Sequence, residues 1–179
     1  MFEFIQNIDN AVIHAFDNLH TPVASYILGV FSFINDNGLI WIAAAVIMLC
    51  FKSTRKIGLT LSVALVFGLV VTNLFLKPTV ARIRPYDALG FTPLIDKLSD
   101  YSFPSGHATS AFEGAISCML WNKKYGFIAL LVAILVCFSR IYFQVHYLSD
   151  VIAGAIIGSI MAILAYLIVK AVYKGKNAK

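Results

Sequence analysis

The chain has 179 residues, of which 60% are hydrophobic and 13% charged, and its mean hydropathy is +0.83. Soluble domains are about 45–50% apolar and about 25% charged, so this composition excludes an ordinary soluble protein and predicts an integral membrane protein. The net charge of +5 is dispersed over short basic segments, which disfavours nucleic acid as a partner and fits positive-inside topology. The three cysteines lie in apolar runs, so no disulfide framework is predicted.

The N-terminal segment, residues 1–20, predicts an amphipathic helix at the membrane interface because its apolar residues recur at helical spacing. Acidic residues stand where a secretion signal would carry positive charge, so no cleavable signal peptide is expected. Two apolar runs follow at 22–34 and 39–51, separated by the turn cluster 35–38. Each would form a helix of about 20 Å, short for a bilayer core of about 30 Å, so the sequence leaves open whether one or both cross.

A clean span is predicted over residues 57–76, after a basic turn at 52–56. The longest polar segment, 77–106, then carries four of the five prolines, and a loop of this length is usually functional or disordered. Further apolar segments occupy residues 108–121, 127–143 and 150–173. The sequence thus predicts an all-α, polytopic membrane helix bundle of five or six spans, forming one domain over residues 1–179.

The basic segments predict the orientation of this multi-pass protein in the cell membrane. The turns at 52–56 and 123–124 and the C-terminal lysines fall on one side if the spans alternate, and that side is the cytoplasm. The loop 77–106 and the turn 143–149 then share the extracytoplasmic face. Because these two segments hold the residues capable of chemistry, an active site at the outer helix ends is expected.

One candidate group is the turn Pro104-Ser105-Gly106-His107, which leads into an apolar run. A glycine lets the backbone approach a ligand closely, and the free N–H groups of a helix start attract anions. The alternative is a simple helix cap, with Ser105 satisfying the first-turn donors and His107 an ordinary interfacial residue.

A second group consists of cations. Lys77, Arg82 and Arg84 precede the polar loop, where a single basic residue often only extends toward lipid headgroups. Arg140 is different, because it lies within the apolar stretch that begins at residue 127. An ionisable residue at membrane depth is costly and usually faces a cavity or a partner.

The third group pairs His146 with Asp150. Their spacing of four at a helix start places them on one face, where the carboxylate accepts a hydrogen bond from the imidazole and leaves the other ring nitrogen free as a nucleophile. Asp150 as a mere N-cap is the alternative. Two histidines, a carboxylate and several fixed cations suit phosphoryl transfer. The cations would repel a divalent metal, so no metal and no cofactor are expected.

These residues form three motifs, Lys-x6-Arg-Pro (77–85), Pro-Ser-Gly-His (104–107) and Ser-Arg-x5-His-x3-Asp (139–150). They resemble the signatures of the type 2 phosphatidic acid phosphatase superfamily, which also contains bacterial undecaprenyl pyrophosphate phosphatases and vanadium haloperoxidases. The small size and span pattern are similar to those of the short bacterial members. The resemblance identifies residues 77–150 as a motif-bearing catalytic core.

The resemblance implies a role for each matched residue. His146 would be the nucleophile that becomes a phosphohistidine, with Asp150 orienting it, and His107 would protonate the leaving oxygen and later activate water. The implied phosphate-binding set is Lys77, Arg84, Ser105, Gly106 and Arg140. Arg82 lies outside the motifs and is expected as an extra phosphate or headgroup contact. Glu113 would tune His107, line the substrate groove or pair with another polar group.

The expected activity is hydrolysis of a lipid phosphate, with membrane lipids as surroundings and no obligatory protein partner. An external site favours undecaprenyl pyrophosphate, whose dephosphorylation recycles the carrier for cell wall biogenesis. Phosphatidylglycerophosphate or phosphatidic acid is the alternative substrate. A non-catalytic lipid-binding or flipping protein is the alternative of another class, although the nucleophile and acid are both present. A vanadate-dependent oxidase is disfavoured because the known relatives of that kind are soluble.

Overall fold

The protein is built from helices, and its computed structural model describes residues 2–176. The helices are α1 (Phe2–Phe16), α2 (Pro22–Ile34), α3 (Leu39–Cys50), α4 (Arg55–Gly68), α5 (Pro85–Leu89), α6 (Gly106–Trp121), α7 (Lys123–Tyr142) and α8 (Leu148–Lys176). Helix α4 continues as a π-helical segment, Leu69–Leu76, and a final turn, Lys77–Val80. No β-strand occurs in residues 2–176, so the predicted all-α class is confirmed.

Several helices are suited to crossing a membrane. The segments Arg55–Leu89, Lys123–Tyr142 and Leu148–Gly175 are long and apolar enough to do so. Helices α2 and α3 form a pair bent by 45° at the turn cluster, and together they qualify as a fourth candidate. This break explains why the two short apolar runs could not be assigned from their lengths. The membrane bundle is confirmed, and the count of five or six spans stays a prediction.

Helix α6 lies at the centre of the bundle and packs against α4, α7 and α8. Two glycines of α8 make its approach close, because a Cβ at Gly154 would lie 2.5 Å from the Ser105 carbonyl oxygen and one at Gly158 would lie 2.2 Å from that of Thr109. Small residues spaced by four permit this kind of helix contact in membranes. The backbone N–H of Ser105 also donates to the Asp150 carbonyl oxygen at 3.0 Å. The N-terminal ends of α6 and α8 are therefore fixed side by side.

The two ends of the bundle differ in chemistry. At one end the Lys56 ammonium lies 5.5 Å from the Trp121 ring centroid and 5.0 Å from that of Tyr173, which brings the start of α4 and the ends of α6 and α8 together. The opposite end carries all three motifs. The basic segments therefore lie at one end of the bundle and the motif-bearing segments at the other, as the sequence predicted. Met1 and Lys179, from the predicted N-terminal helix and basic tail, lie outside the described residues.

Helix α1 packs against α7 and α8 and shows the predicted amphipathic character. Its outer face exposes the apolar side chains of Phe4, Ile5 and Ile8, as expected for a helix in contact with lipid. Its inner face buries Ile13 and, less expectedly, the carboxylate of Asp9, which is only 1% exposed. The helix begins at Phe2 and ends at Phe16, within the predicted segment.

Candidate active site

A cavity of about 820 Å³ lies at the motif-bearing end of the bundle. Its polar wall contains Lys77, Arg84, His107 and His146. Its remaining wall, between α3 and α4, is largely apolar and includes Ile42, Val46, Leu65, Val66 and Leu69. The cavity therefore combines cations and histidines with a surface that suits a hydrocarbon chain.

His146 lies in the turn between α7 and α8 and is 1% exposed. Its Nδ1 is 3.6 Å from Oδ2 of Asp150, and its Nε2 is 3.3 Å from a guanidinium nitrogen of Arg84. Helix α8 begins at Leu148, so His146 precedes the helix on which it was expected, yet the two side chains still face each other. The structure thus brings together the pair that the spacing predicted.

The ring of His146 is neutral in this environment. Burial lowers the pKa of His146 to about 3, an effect that the hydrogen bond with Asp150 opposes and the charges of Arg84 and Arg140 reinforce. Because a guanidinium can only donate, its contact with Nε2 places the lone pair on Nε2 and the proton on Nδ1, facing Asp150. A neutral imidazole whose Nε2 lone pair faces Arg84 at the cavity wall has the protonation state that a nucleophile needs.

The carboxylate of Asp150 is fully buried and held from several sides. The Ser102 hydroxyl donates to Oδ2 at 2.5 Å, and the backbone N–H of Tyr147 donates to the same oxygen at 3.0 Å. Ser102, which is itself fully buried, was not predicted as a site residue, because a single serine in a polar loop belongs to no pattern. These contacts hold Asp150 beside the nucleophile instead of leaving it as a simple helix cap.

His107 lies in the first turn of α6, and its side chain is 15% exposed. Its Nε2 is 2.9 Å from Oδ1 of Asp36, which belongs to the turn cluster between α2 and α3. Asn35 ties this turn to α6 by donating to the His107 carbonyl oxygen at 3.2 Å. The sequence analysis treated the cluster only as a turn, so Asp36 as the partner of His107 was missed.

Two cations of the first motif share one carboxylate. Asp100 forms ion pairs with Lys77 and with Arg84, the latter at 2.5 Å, although Lys77 and Arg84 are buried and the Asp100 side chain is 51% exposed. Burial alone would raise the pKa of Asp100, but the hydrogen bond from Lys77 and the charges of both cations lower it to about 2. Asp100 is therefore an anion at neutral pH, and it lies where the anionic group of a ligand is expected.

Arg140 is buried near the end of α7 and does not line the cavity. One guanidinium nitrogen donates to the Ser32 hydroxyl, whereas Nε and the other terminal nitrogen have no partner among residues 2–176. Buried donors without acceptors are costly, so such a group usually marks a position where a ligand completes the hydrogen bonds.

The residues of the Pro-Ser-Gly-His turn divide between two roles. Ser105 is fully buried and caps α6, since its hydroxyl accepts from the Ala108 N–H at 3.5 Å. Gly106 instead lines the cavity. The capping interpretation thus applies to the Ser105 hydroxyl, and Gly106 is the member of the turn that a ligand can reach.

The two residues that the motifs left unassigned are placed by the structure. Arg82 turns to Asp150 and Asp9, at 2.6 and 2.7 Å, instead of reaching the cavity as an additional phosphate contact. Glu113 is buried and lines the cavity next to Gly68, where a Cβ would lie 2.0 Å from its Oε1. Across the described chain, that oxygen finds no hydrogen-bond partner, which favours the groove-lining alternative for Glu113.

Within residues 2–176, no group of three or more histidine, cysteine, aspartate or glutamate side chains is arranged to hold a metal ion. The polar wall is instead dominated by Lys77 and Arg84, which cannot act as metal ligands under ordinary conditions. Phosphate release measured in the presence of EDTA tests the expected independence from metal.

The known proteins that this chain resembles are phosphatases, and one family model matches most of the chain. Residues 55–174 match the family described as the PAP2 superfamily. An undecaprenyl-diphosphatase of Sulfolobus acidocaldarius is 39% identical over 128 residues, covering 70% of this chain and 62% of that protein. A lipid A 4'-phosphatase of Bacteroides thetaiotaomicron is 29% identical over 94% of this chain and 80% of its own length. The chain therefore spans less than two thirds of the Sulfolobus relative.

Two crystal structures share the fold. A transmembrane PAP2-type phosphatidylglycerolphosphate phosphatase from Bacillus subtilis superposes with a TM-score of 0.73 at 24% identity, over 96% of this chain and 87% of the other. LpxE of Aquifex aeolicus gives a TM-score of 0.71 at 24% identity, over 88% and 93%. At this level of identity the two likenesses establish the arrangement of helices.

Proposed function

The chain belongs to the PAP2 superfamily, and from that premise we propose that it is a membrane lipid phosphatase that forms a phosphohistidine on His146 without a metal ion. The observation that carries the proposal is the neutral, buried His146, whose Nε2 faces Arg84 in a cavity with an apolar wall. The nucleophile and the cations beside it can attack the phosphate and neutralise its charge, and the apolar wall can contact the lipid tail.

In the first step, Nε2 of His146 attacks the phosphorus. The N–P bond forms as the P–O bond to the lipid breaks, and His107 donates a proton to the leaving oxygen. Lys77 and Arg84 neutralise the phosphate oxygens, and Arg140 supplies the two donors that have no protein acceptor. The positive charge that develops on the His146 ring is stabilised by Asp150.

In the second step, water releases the phosphate. His107, now neutral, takes a proton from a water molecule whose oxygen attacks the phosphorus, and the N–P electrons return to Nε2 as inorganic phosphate leaves. Burial lowers the pKa of His107, and the hydrogen bond with Asp36 at 2.9 Å opposes that effect, so Asp36 assists this step by stabilising the protonated ring that forms.

We place the site on the extracytoplasmic side, because the basic turns gather around Lys56 at the opposite end of the bundle. A substrate in the outer leaflet is then expected, and undecaprenyl pyrophosphate is the first choice, supported by the Sulfolobus relative at 39% identity. Phosphatidylglycerophosphate and phosphatidic acid are alternatives. Lipid A is a further alternative substrate, because the lipid A 4'-phosphatase of Bacteroides aligns over 94% of this chain.

The direct test is phosphate release by the purified protein in detergent with EDTA present. The four lipids are compared at equal concentration, with His146→Ala protein, prepared in the same way, as the control for contaminating phosphatases. We expect release to persist in EDTA and to be fastest with undecaprenyl pyrophosphate. Release that EDTA abolishes would contradict the metal-free mechanism. If the wild-type protein releases phosphate no faster than the His146→Ala control with any of the lipids, the lipid-binding or flipping alternative is favoured instead.

Removal of the Asp100 carboxylate is expected to expose the phosphate-binding cations. In Asp100→Asn, Lys77 and Arg84 lose the anion that occupies them, so inorganic phosphate and vanadate should inhibit at concentrations roughly 3- to 10-fold lower. The backbone carbonyl of Asp100, which accepts from Arg84 at 2.8 Å, is retained in the variant. Inhibition constants measured for the wild type and the variant check this prediction.

Asp96→Asn is the matched control, because Asp96 is an exposed carboxylate in the same segment. It should leave both inhibition constants unchanged. If Asp100→Asn weakens inhibition in parallel with activity, then Asp100 supports the geometry of the cations and does not compete with the ligand.

A further inference from the structure

Arg82 links the N-terminal helix to the candidate catalytic pair. One of its terminal nitrogens donates to Oδ1 of Asp150 at 2.6 Å, and the other donates to Oδ2 of Asp9 at 2.7 Å. Asp9 lies on α1, outside the segment 55–174 that matches the family, and its carboxylate is 1% exposed. A buried carboxylate on an amphipathic surface helix requires a specific partner, and Arg82 is that partner.

The guanidinium of Arg82 has further partners, among them the Gln6 side-chain oxygen on α1, which accepts from it at 2.8 Å. The guanidinium also bonds the Ser149 hydroxyl at 2.7 Å and stacks over the Tyr147 ring at 3.9 Å from the centroid. Ser149 in turn donates to Asp9 through its backbone N–H at 2.9 Å and its hydroxyl at 2.5 Å. The first turn of α8 and helix α1 are thus joined around one guanidinium, which stays charged at every accessible pH.

We infer that Arg82 is a positioning residue for the reaction, anchored by Asp9, so that helix α1 takes part in holding the Asp150 carboxylate against His146. This inference rests on the proposed function of the site. Arg82 neighbours Lys77 and Arg84 in the sequence, but it acts on the opposite side of His146 from the cations that bind phosphate.

Geometry and charge explain why the position matters. Arg82 fixes Oδ1 of Asp150, which leaves Oδ2 for Ser102, the Tyr147 N–H and the His146 ring. Asp9 and Asp150 each carry a negative charge and Arg82 one positive charge, so the group keeps a single net negative charge to balance the ring when His146 becomes phosphorylated. Without Arg82, the two buried carboxylates would lose the cation that lies between them and would repel each other, and Asp150 would lose its contact at Oδ1.

The test uses the full-length protein and measures kcat, KM, vanadate inhibition and melting temperature for Arg82→Gln, Arg82→Lys, Asp9→Asn and the Asp9→Asn, Arg82→Gln double variant. We expect Arg82→Gln to lower kcat by about 10- to 100-fold, the range found for outer partners that orient a functional group, with KM and vanadate inhibition within about 2-fold of wild type. Arg82→Lys should recover part of kcat, because it restores the charge but not both hydrogen bonds.

Asp9→Asn should lower kcat less than Arg82→Gln, and the double variant should stay close to Arg82→Gln, because Asp9 reaches the Asp150 carboxylate through Arg82, whereas its bonds with Ser149 tie α1 to α8. Glu3→Gln is the matched control, since it removes an exposed carboxylate from the same helix, and it should behave as wild type.

Three results would overturn the inference. Unchanged kcat in Arg82→Gln would show that Asp150 needs no such partner. Parallel loss of kcat and vanadate inhibition with a lowered melting temperature and no recovery in Arg82→Lys would show that Arg82 only ties α1 to the bundle. Wild-type protein that releases no phosphate from any lipid would remove the proposed function and this role with it, an outcome distinct from an active wild type with unaffected variants.

Discussion

Replacing His146 with alanine is expected to lower kcat by about 10⁴-fold or more, because removal of a nucleophile leaves only the contribution of binding and charge stabilisation. The side chain is the neutral imidazole whose Nε2 lies at the cavity, and no other described histidine of the cavity wall contacts both Asp150 and Arg84. Phosphate release from the preferred lipid, followed over long incubations, gives the measurement.

A covalent intermediate provides a sharper test of the same residue. With a substrate carrying a labelled phosphate, wild-type protein quenched during turnover should retain label that is stable to base and labile to acid, as expected for a phosphohistidine. His146→Ala should retain none. His14→Ala is the matched control, because His14 is exposed on α1 and pairs only with Asp17 among the described contacts. Label on the His146→Ala protein would assign the nucleophile elsewhere.

Substitution of Arg140 by lysine is expected to lower kcat/KM by about 10²- to 10³-fold, similar to the loss of an oxyanion-binding donor. The guanidinium is 1% exposed, and its Nε and one terminal nitrogen lack a protein acceptor in the described structure. We attribute these two free donors to the transferring phosphate, which requires the side chains between Arg140 and the cavity to move when the substrate binds. Lysine keeps the positive charge but presents a compact ammonium that cannot supply two parallel hydrogen bonds.

Arg140→Lys should fold normally, because Nε and one terminal nitrogen have no acceptor among the described residues and an ammonium can still donate to the Ser32 hydroxyl, so its melting temperature is expected to stay near that of wild type. Arg55→Lys is the matched control, since Arg55 lies at the opposite end of the bundle and its Nε bonds the Leu49 carbonyl oxygen. A lysine variant with full activity would mean that charge alone is required. A variant that fails to fold would assign Arg140 to the core of the bundle.

The membrane class and the core of the site were predictable because they depend on composition and local spacing. A chain that is 60% hydrophobic is too apolar for an ordinary soluble domain, and its basic turns gather at one end of the bundle, opposite the motifs, as predicted. His146 and Asp150, four residues apart, face each other as their spacing predicted, although His146 lies in the turn before α8. The motifs also brought Lys77, Arg84 and His107 to one cavity, as expected.

The sequence predicted less where a residue type can serve either a structural role or a ligand-binding role. Ser105 was expected in the phosphate-binding set, and its hydroxyl instead serves the helix cap from a fully buried position. The apolar runs of α2 and α3 could not be assigned as spans, because the chain bends by 45° between them, at a turn where Asn37 and Gly38 have positive φ angles. Sequence spacing gives the length of an element but not the direction in which the next one leaves.

The partners of the reactive groups were determined only by the tertiary structure. Asp36 lies 71 residues from His107, and Asp9 lies 73 residues from Arg82, so nothing in the local sequence connects them. The physical reason is that a charge buried in a helix bundle must be satisfied by whichever helix or turn packs against it, and that neighbour is chosen by the packing of the whole bundle. The sequence by itself therefore determined the reactive side chains and their chemistry, whereas the packing of α1, α2 and α8 determined what holds them in place.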